Sequence, residues 1–225
     1  SIRRQRQMCI RDRFMPEPVK NKQKFKIEVQ KLSVPSDIRS TFIYAVIPVF
    51  VGFSMLGLFT AISPNFLGDI LNITNKAVIG VMVFLIFCAS TLGQLLFKSK
   101  SDYHILMLGS GTLIVGVILV GLSIQFESFL ILFIGAIISG FGQAFSFRAG
   151  LSTVNAVAPE DKQAEITSTF FTIAYIAISI PVVGVGLLEL GLGIKLAGIV
   201  FSIIIVILAI LSLILLLANK KKSNS

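Results

Sequence analysis

The sequence predicts an all-α integral membrane protein of six transmembrane helices. Three observations carry this reading. The 225 residues are 55% hydrophobic and 14% charged, with mean hydropathy +0.90, whereas a soluble domain is about one quarter charged. The apolar residues gather into six long runs. Lys and Arg lie almost wholly outside those runs, as topology determinants do. Backbone in contact with lipid must satisfy its own hydrogen bonds, so each run is read as a helix.

Residues 1–40 form a basic segment ahead of the membrane, broken by Pro16, Pro18 and Pro35. Within it, RQRQMCIRDR resembles translated sequencing-adapter read-through; residues 1–13 are read either as non-native or as a genuine basic linker, and are given no function. A six-helix domain follows over residues 41–218, and a basic tail over 219–225. The expected spans are 41–62, 77–97, 103–124, 129–147, 166–188 and 196–218. The first contains Pro48 and exits through Ser63-Pro64-Asn65, a turn signal. The third holds Gly109-Ser110-Gly111-Thr112, and a short link leads to the fourth. The sixth has 23 residues without a charge and ends in Lys220-Lys221-Lys222. At about 1.5 Å per residue it is roughly 35 Å long, enough for a hydrocarbon core of about 30 Å.

Orientation follows from the basic residues. With the N-terminal segment in the cytoplasm, the cytoplasmic side receives 18 Lys and Arg; the outer side receives Lys76 and Lys195. Without the five arginines of residues 1–13 the asymmetry is still 13 to 2. Both ends are expected to be cytoplasmic, in the plasma membrane. The net charge of +9 thus reflects topology, and no nucleic-acid partner is expected. Cys9 and Cys88 are placed for neither a disulfide nor a metal, and His104 stands without a Cys or carboxylate cluster. No cofactor or metal is expected. The spans hold no His-x-x-x-His, no paired aspartates and no nucleophile–base pair, which argues against an intramembrane enzyme.

The functional candidates lie around residues 135–186. Gly135, Ser139, Gly142, Gln143 and Ser146 recur at helical spacing in the fourth span. Thr172, Tyr175 and Ser179 do the same in the fifth, before Pro181. In a membrane such faces either pack helices together or line a water-filled cavity. Polar or aromatic positions are Gln143, Ser146, Tyr175 and Ser179 in these two spans and Tyr44, Thr91 and Gln94 elsewhere, with Pro48 and Pro181 inside the first and fifth. Arg148, where the fourth span meets the cytoplasm, reads as a structural residue that snorkels and bonds helix-end carbonyls.

Several stretches carry a resemblance: GLFTAISPNFL (57–67), GFGQAFSFRAG (140–150), APEDKQAE (158–165) and the Tyr175, Pro181, Gly186 pattern. With the loop lengths and charge placement, residues 36–222 resemble the C-terminal half of a major facilitator superfamily transporter. The family's Gly-x-Leu-x-Asp-basic loop motif is met by Gly93-Gln94-Leu95-Leu96-Phe97-Lys98, with Phe97 in place of the Asp. The resemblance implies two inverted groups of three helices and an exporter-like secondary transporter moving a small organic solute by alternating access. It implies that Tyr44, Thr91, Gln94, Gln143, Ser146, Tyr175 and Ser179 line a substrate cavity, with Pro48 and Pro181 as helix hinges. It also implies a missing N-terminal six-helix half as partner, which would hold any intramembrane carboxylate, since these spans have none. The alternative is a stand-alone six-span module, channel-like or structural, acting as a homo-oligomer in the lipid bilayer.

Overall fold

The structure, a computed structural model, describes residues 34–96 and 101–223. Most of the basic N-terminal segment, and Phe97 and Lys98 of the loop motif, lie outside the described residues. The described chain is helical throughout. After a 3-10 turn at Ser36–Ile38 come α1 (Arg39–Asn65), α2 (Lys76–Leu96), α3 (Asp102–Phe126), α4 (Phe129–Val157) and α5 (Gln163–Ser223). All five are long and apolar enough to cross a membrane.

The helix ends follow local chemistry. α1 runs through Pro48 and Pro64 into a π-helical turn, Phe66–Ile70. Asn75 caps α2 by accepting from the Ala77 amide at 2.9 Å. Between α3 and α4, Glu127 adopts a left-handed conformation (φ 52°), and the Ser128 side chain accepts from the Ile131 amide. α4 continues ten residues beyond the expected limit of 147. No glycine–proline signal interrupts it before Pro159, which forces the preceding residue out of helical conformation. α5 covers both the fifth and sixth expected spans and the polar link between them. One residue in it is non-helical: Gly193, at φ 76° and ψ 159°, a region open to glycine almost alone.

Two clusters make most of the core. The larger joins Phe59, Phe66, Met82, Leu113, Ile124, Ala197 and Ile205. The second, toward the start of α1, joins Phe42, Val49, Val154, Ile166 and Phe170. Helix α1 is the centre: 72% of its most apolar stretch is buried within the protein, against 28% for α2 and for α5. Helices α3 and α4 meet backbone to backbone. A Cβ on Gly109 would stand 2.8 Å from the Ser146 nitrogen, and one on Gly116 2.7 Å from the Ser139 nitrogen. Only a residue without a side chain permits that approach, and small residues drive helix association where lipid is as apolar as the side chains. Two bonds then tie α3 to the end of α5. Tyr103 donates to the Leu216 carbonyl at 2.7 Å, and the Ser110 and Ser212 hydroxyls lie 3.2 Å apart.

Candidate functional site

The polar face of α4 turns inward. Gln143 is 3% exposed, and its Oε1 accepts from the Ser90 hydroxyl of α2 at 2.5 Å. On its other side a Cβ on Gly52 of α1 would come within 3.2 Å of its Cα. Gln143 therefore occupies the junction of α1, α2 and α4. Ser146 is fully buried against Gly109, and neither its hydroxyl nor that of Ser139 has a hydrogen-bond partner. Arg148, two residues after Ser146, donates from Nη1 to the Gln94 carbonyl at 2.8 Å. It bonds a helix-end carbonyl as expected, though the carbonyl belongs to the neighbouring α2. The Gln94 side chain is half-buried beside that junction.

The polar face of α5 turns outward. Tyr175 is 64% exposed, and Ser179 is exposed one turn later. With Thr172, Ile176, Ile180, Val183 and Gly184 they line an open groove of about 590 Å³ that carries no charged group. Thr172 donates to the Ser168 carbonyl at 2.8 Å, and Ser179 to the Tyr175 carbonyl at 2.9 Å. Both hydroxyl protons are directed into the helix, so toward the groove these oxygens offer lone pairs. Behind Tyr175 a chain of rings leads into the core: Phe171 at 6.5 Å between centroids, then Phe147 at 6.1 Å, then Phe53 at 5.5 Å. Such spacings suit edge and offset contacts between aromatic quadrupoles.

The seven cavity candidates therefore occupy several environments. Gln143 and Ser146 lie inside the bundle, and Tyr175 and Ser179 on an open face. Thr91 is exposed on α2, its hydroxyl bonded to the Phe87 carbonyl. Tyr44 is half-buried at the start of α1, near Leu215 and Ala218. Pro48 and Pro181 are buried within helices that continue past them. Ser90 was not among the candidates. Its signal in the sequence is slight, one of two adjacent hydroxyls in the run Cys88-Ala89-Ser90-Thr91. At the opposite end of the bundle from Tyr44, Asn65 donates to Glu189 at 3.3 Å and Lys195 pairs with Glu127 at 2.8 Å. Among the described residues no group of His, Cys, Asp or Glu is placed to hold a metal ion.

Helices of this length and hydropathy, joined through small residues, define a helical integral membrane protein. The chain belongs to the major facilitator superfamily: residues 34–225 match the family model of that description. It is therefore a transporter of the major facilitator type. No curated protein and no solved structure matches the chain.

Proposed function

We propose that the chain is the C-terminal six-helix half of a secondary transporter, exporter-like, which moves a small organic solute by alternating access against an N-terminal half. The observation that carries this reading is the exposed Thr172–Tyr175–Ser179 stripe. A helix meant only for lipid gains nothing from a tyrosine and two hydroxyls on its open face. In this reading the stripe lines the cavity between the halves, and Thr91 contributes from α2. Gln143 and Ser146 support the stripe from behind by holding α4 against its neighbours. The six-span count is supported by length. The 61 residues of α5 would make a rod of about 90 Å, three times a hydrocarbon core, and Gly193 is a natural point for the chain to turn. Six spans put both ends on one side, the cytoplasmic side by the placement of Lys and Arg, and suit a 3+3 inverted arrangement.

The test is cysteine accessibility in the full-length transporter. Cysteines at 172, 175 and 179 should react with a small water-soluble reagent and be protected by substrate; cysteines at 143 and 146 should stay inert. Unreactive positions on α5, with transport intact, would remove the cavity reading. Topology is tested in intact cells: a cysteine at Ser223 should resist an impermeant reagent added outside.

A further inference from the structure

We propose that the groove between the start of α1 and the last turns of α5 is a binding site for an anionic phospholipid. The head group would sit on Arg39, and one acyl chain would run along Ile43, Ile47 and Leu215.

The groove has a volume of about 610 Å³. Its α1 wall is built from residues 36, 39, 40, 43, 44 and 47, which recur every three or four positions and so form one helix face. Polarity along that face is graded. Ser36, Arg39 and Ser40 come first, then Ile43 and Tyr44, then Ile47. From Arg39 to Ile47 is about 12 Å of helix, at about 1.5 Å per residue. The α5 wall shows the same gradient in the opposite chain direction: Leu215 and Ala218 are apolar, then comes Asn219. The sequence continues with Lys220-Lys221-Lys222. The two walls therefore bring their polar ends to one end of the groove and their apolar ends to the other, as in a lipid molecule.

The charge selects among amphiphiles. Arg39 is exposed and makes no ion pair among the described residues. Asp37 lies in the 3-10 turn ahead of α1, forms no ion pair among the described residues, and accepts from the Ser36 hydroxyl at 3.0 Å. A guanidinium fork matches a phosphate oxygen pair. A zwitterionic lipid offers the same phosphate but carries its own cation beside it, which offsets the attraction to Arg39, and a free anion would leave Ile43, Ile47 and Leu215 without an occupant. Basic residues beside a membrane span attract anionic head groups by the same electrostatics.

The chain in nanodiscs of mixed phosphatidylglycerol and phosphatidylcholine, released and weighed by native mass spectrometry, tests this. Phosphatidylglycerol should be retained in preference to phosphatidylcholine. Arg39→Ala should lower that preference about fivefold, and Arg39→Lys should keep part of it. Ile43→Trp, at a position already half exposed, should obstruct the groove and reduce retention while leaving the charge in place. Replacing Lys220, Lys221 and Lys222 with Gln should change the preference far less than Arg39→Ala. Equal retention of the two lipids by the unaltered chain would overturn the proposal. So would a preference that survives Arg39→Ala, or one that disappears only with the three lysines.

Discussion

Two polar helix faces with the same spacing meet opposite fates in this molecule. On α4, Gln143 and Ser146 stand three apart amid Gly135, Ser139 and Gly142. On α5, Tyr175 and Ser179 stand four apart beside Thr172. Both are polar stripes at helical spacing in apolar segments. The first is sealed between three helices; the second opens onto a groove. The difference lies in the neighbours. Glycines and serines beside Gln143 let other backbones approach until the stripe is covered. Ile176, Ile180 and Val183 beside Tyr175 are bulky, exposed and line the open groove with it, with no described helix packed over them. In a membrane, polar spacing identifies a face, and the size of the residues around it decides whether that face is shut.

The sealed face should be the fragile one. The largest effect is expected from Gly116→Val. Its new side chain would drive into the Ser139 backbone, which cannot move as a side chain can. A loss of about 3 kcal/mol or more is expected, read as a fall in thermal stability in detergent. If Gly116→Val melts like the unaltered protein, the α3–α4 contact does not hold the bundle. Gln143→Leu is expected to cost less. It leaves the Ser90 hydroxyl without its acceptor, and a double-mutant cycle with Ser90→Ala should give a coupling of about 0.6–1.7 kcal/mol. A coupling near zero, with altered substrate affinity in the full-length transporter, would move Gln143 to the cavity side of the comparison. Arg148→Lys should be mild, because an ammonium can still donate to the Gln94 carbonyl. Smallest on stability is Tyr175→Ala, within about 0.5 kcal/mol, since its ring is mostly exposed. The same variant should change substrate affinity or selectivity in the full-length transporter. A large stability loss from Tyr175→Ala would mean the ring chain to Phe53 is structural.

Much of the fold was legible because hydropathy and charge act along the chain. The all-helical membrane class needed only long apolar runs with basic residues outside them. The end of α4 was less legible. Arg148 looked like a membrane boundary, yet a cation that reaches a neighbouring helix's carbonyl need not end its own helix. Gly193 was not singled out for a related reason: residues 189–195 were left as a link between the fifth and sixth expected spans, but only Gly193 among them leaves helical geometry. Spacing alone singled out Tyr175 and Ser179, which share one open face in the structure. Ser90 was not singled out, because its importance depends on a glutamine 53 residues later in the chain. Contacts across such distances leave no periodic trace.

The back-bonded hydroxyls bear on how the protein is made. Thr60, Thr91, Thr112, Thr172, Ser179 and Ser202 each donate to a carbonyl of their own helix. A helix whose hydroxyl protons are already placed can leave the translocation machinery and enter lipid alone, with no partner waiting. Ser90 is different. Its acceptor belongs to α4, so during synthesis α2 carries an unplaced hydroxyl until two more helices have emerged. The Ser90–Gln143 bond thus sets an order of synthesis: α1, α2 and α4 can close together only once α4 has been made.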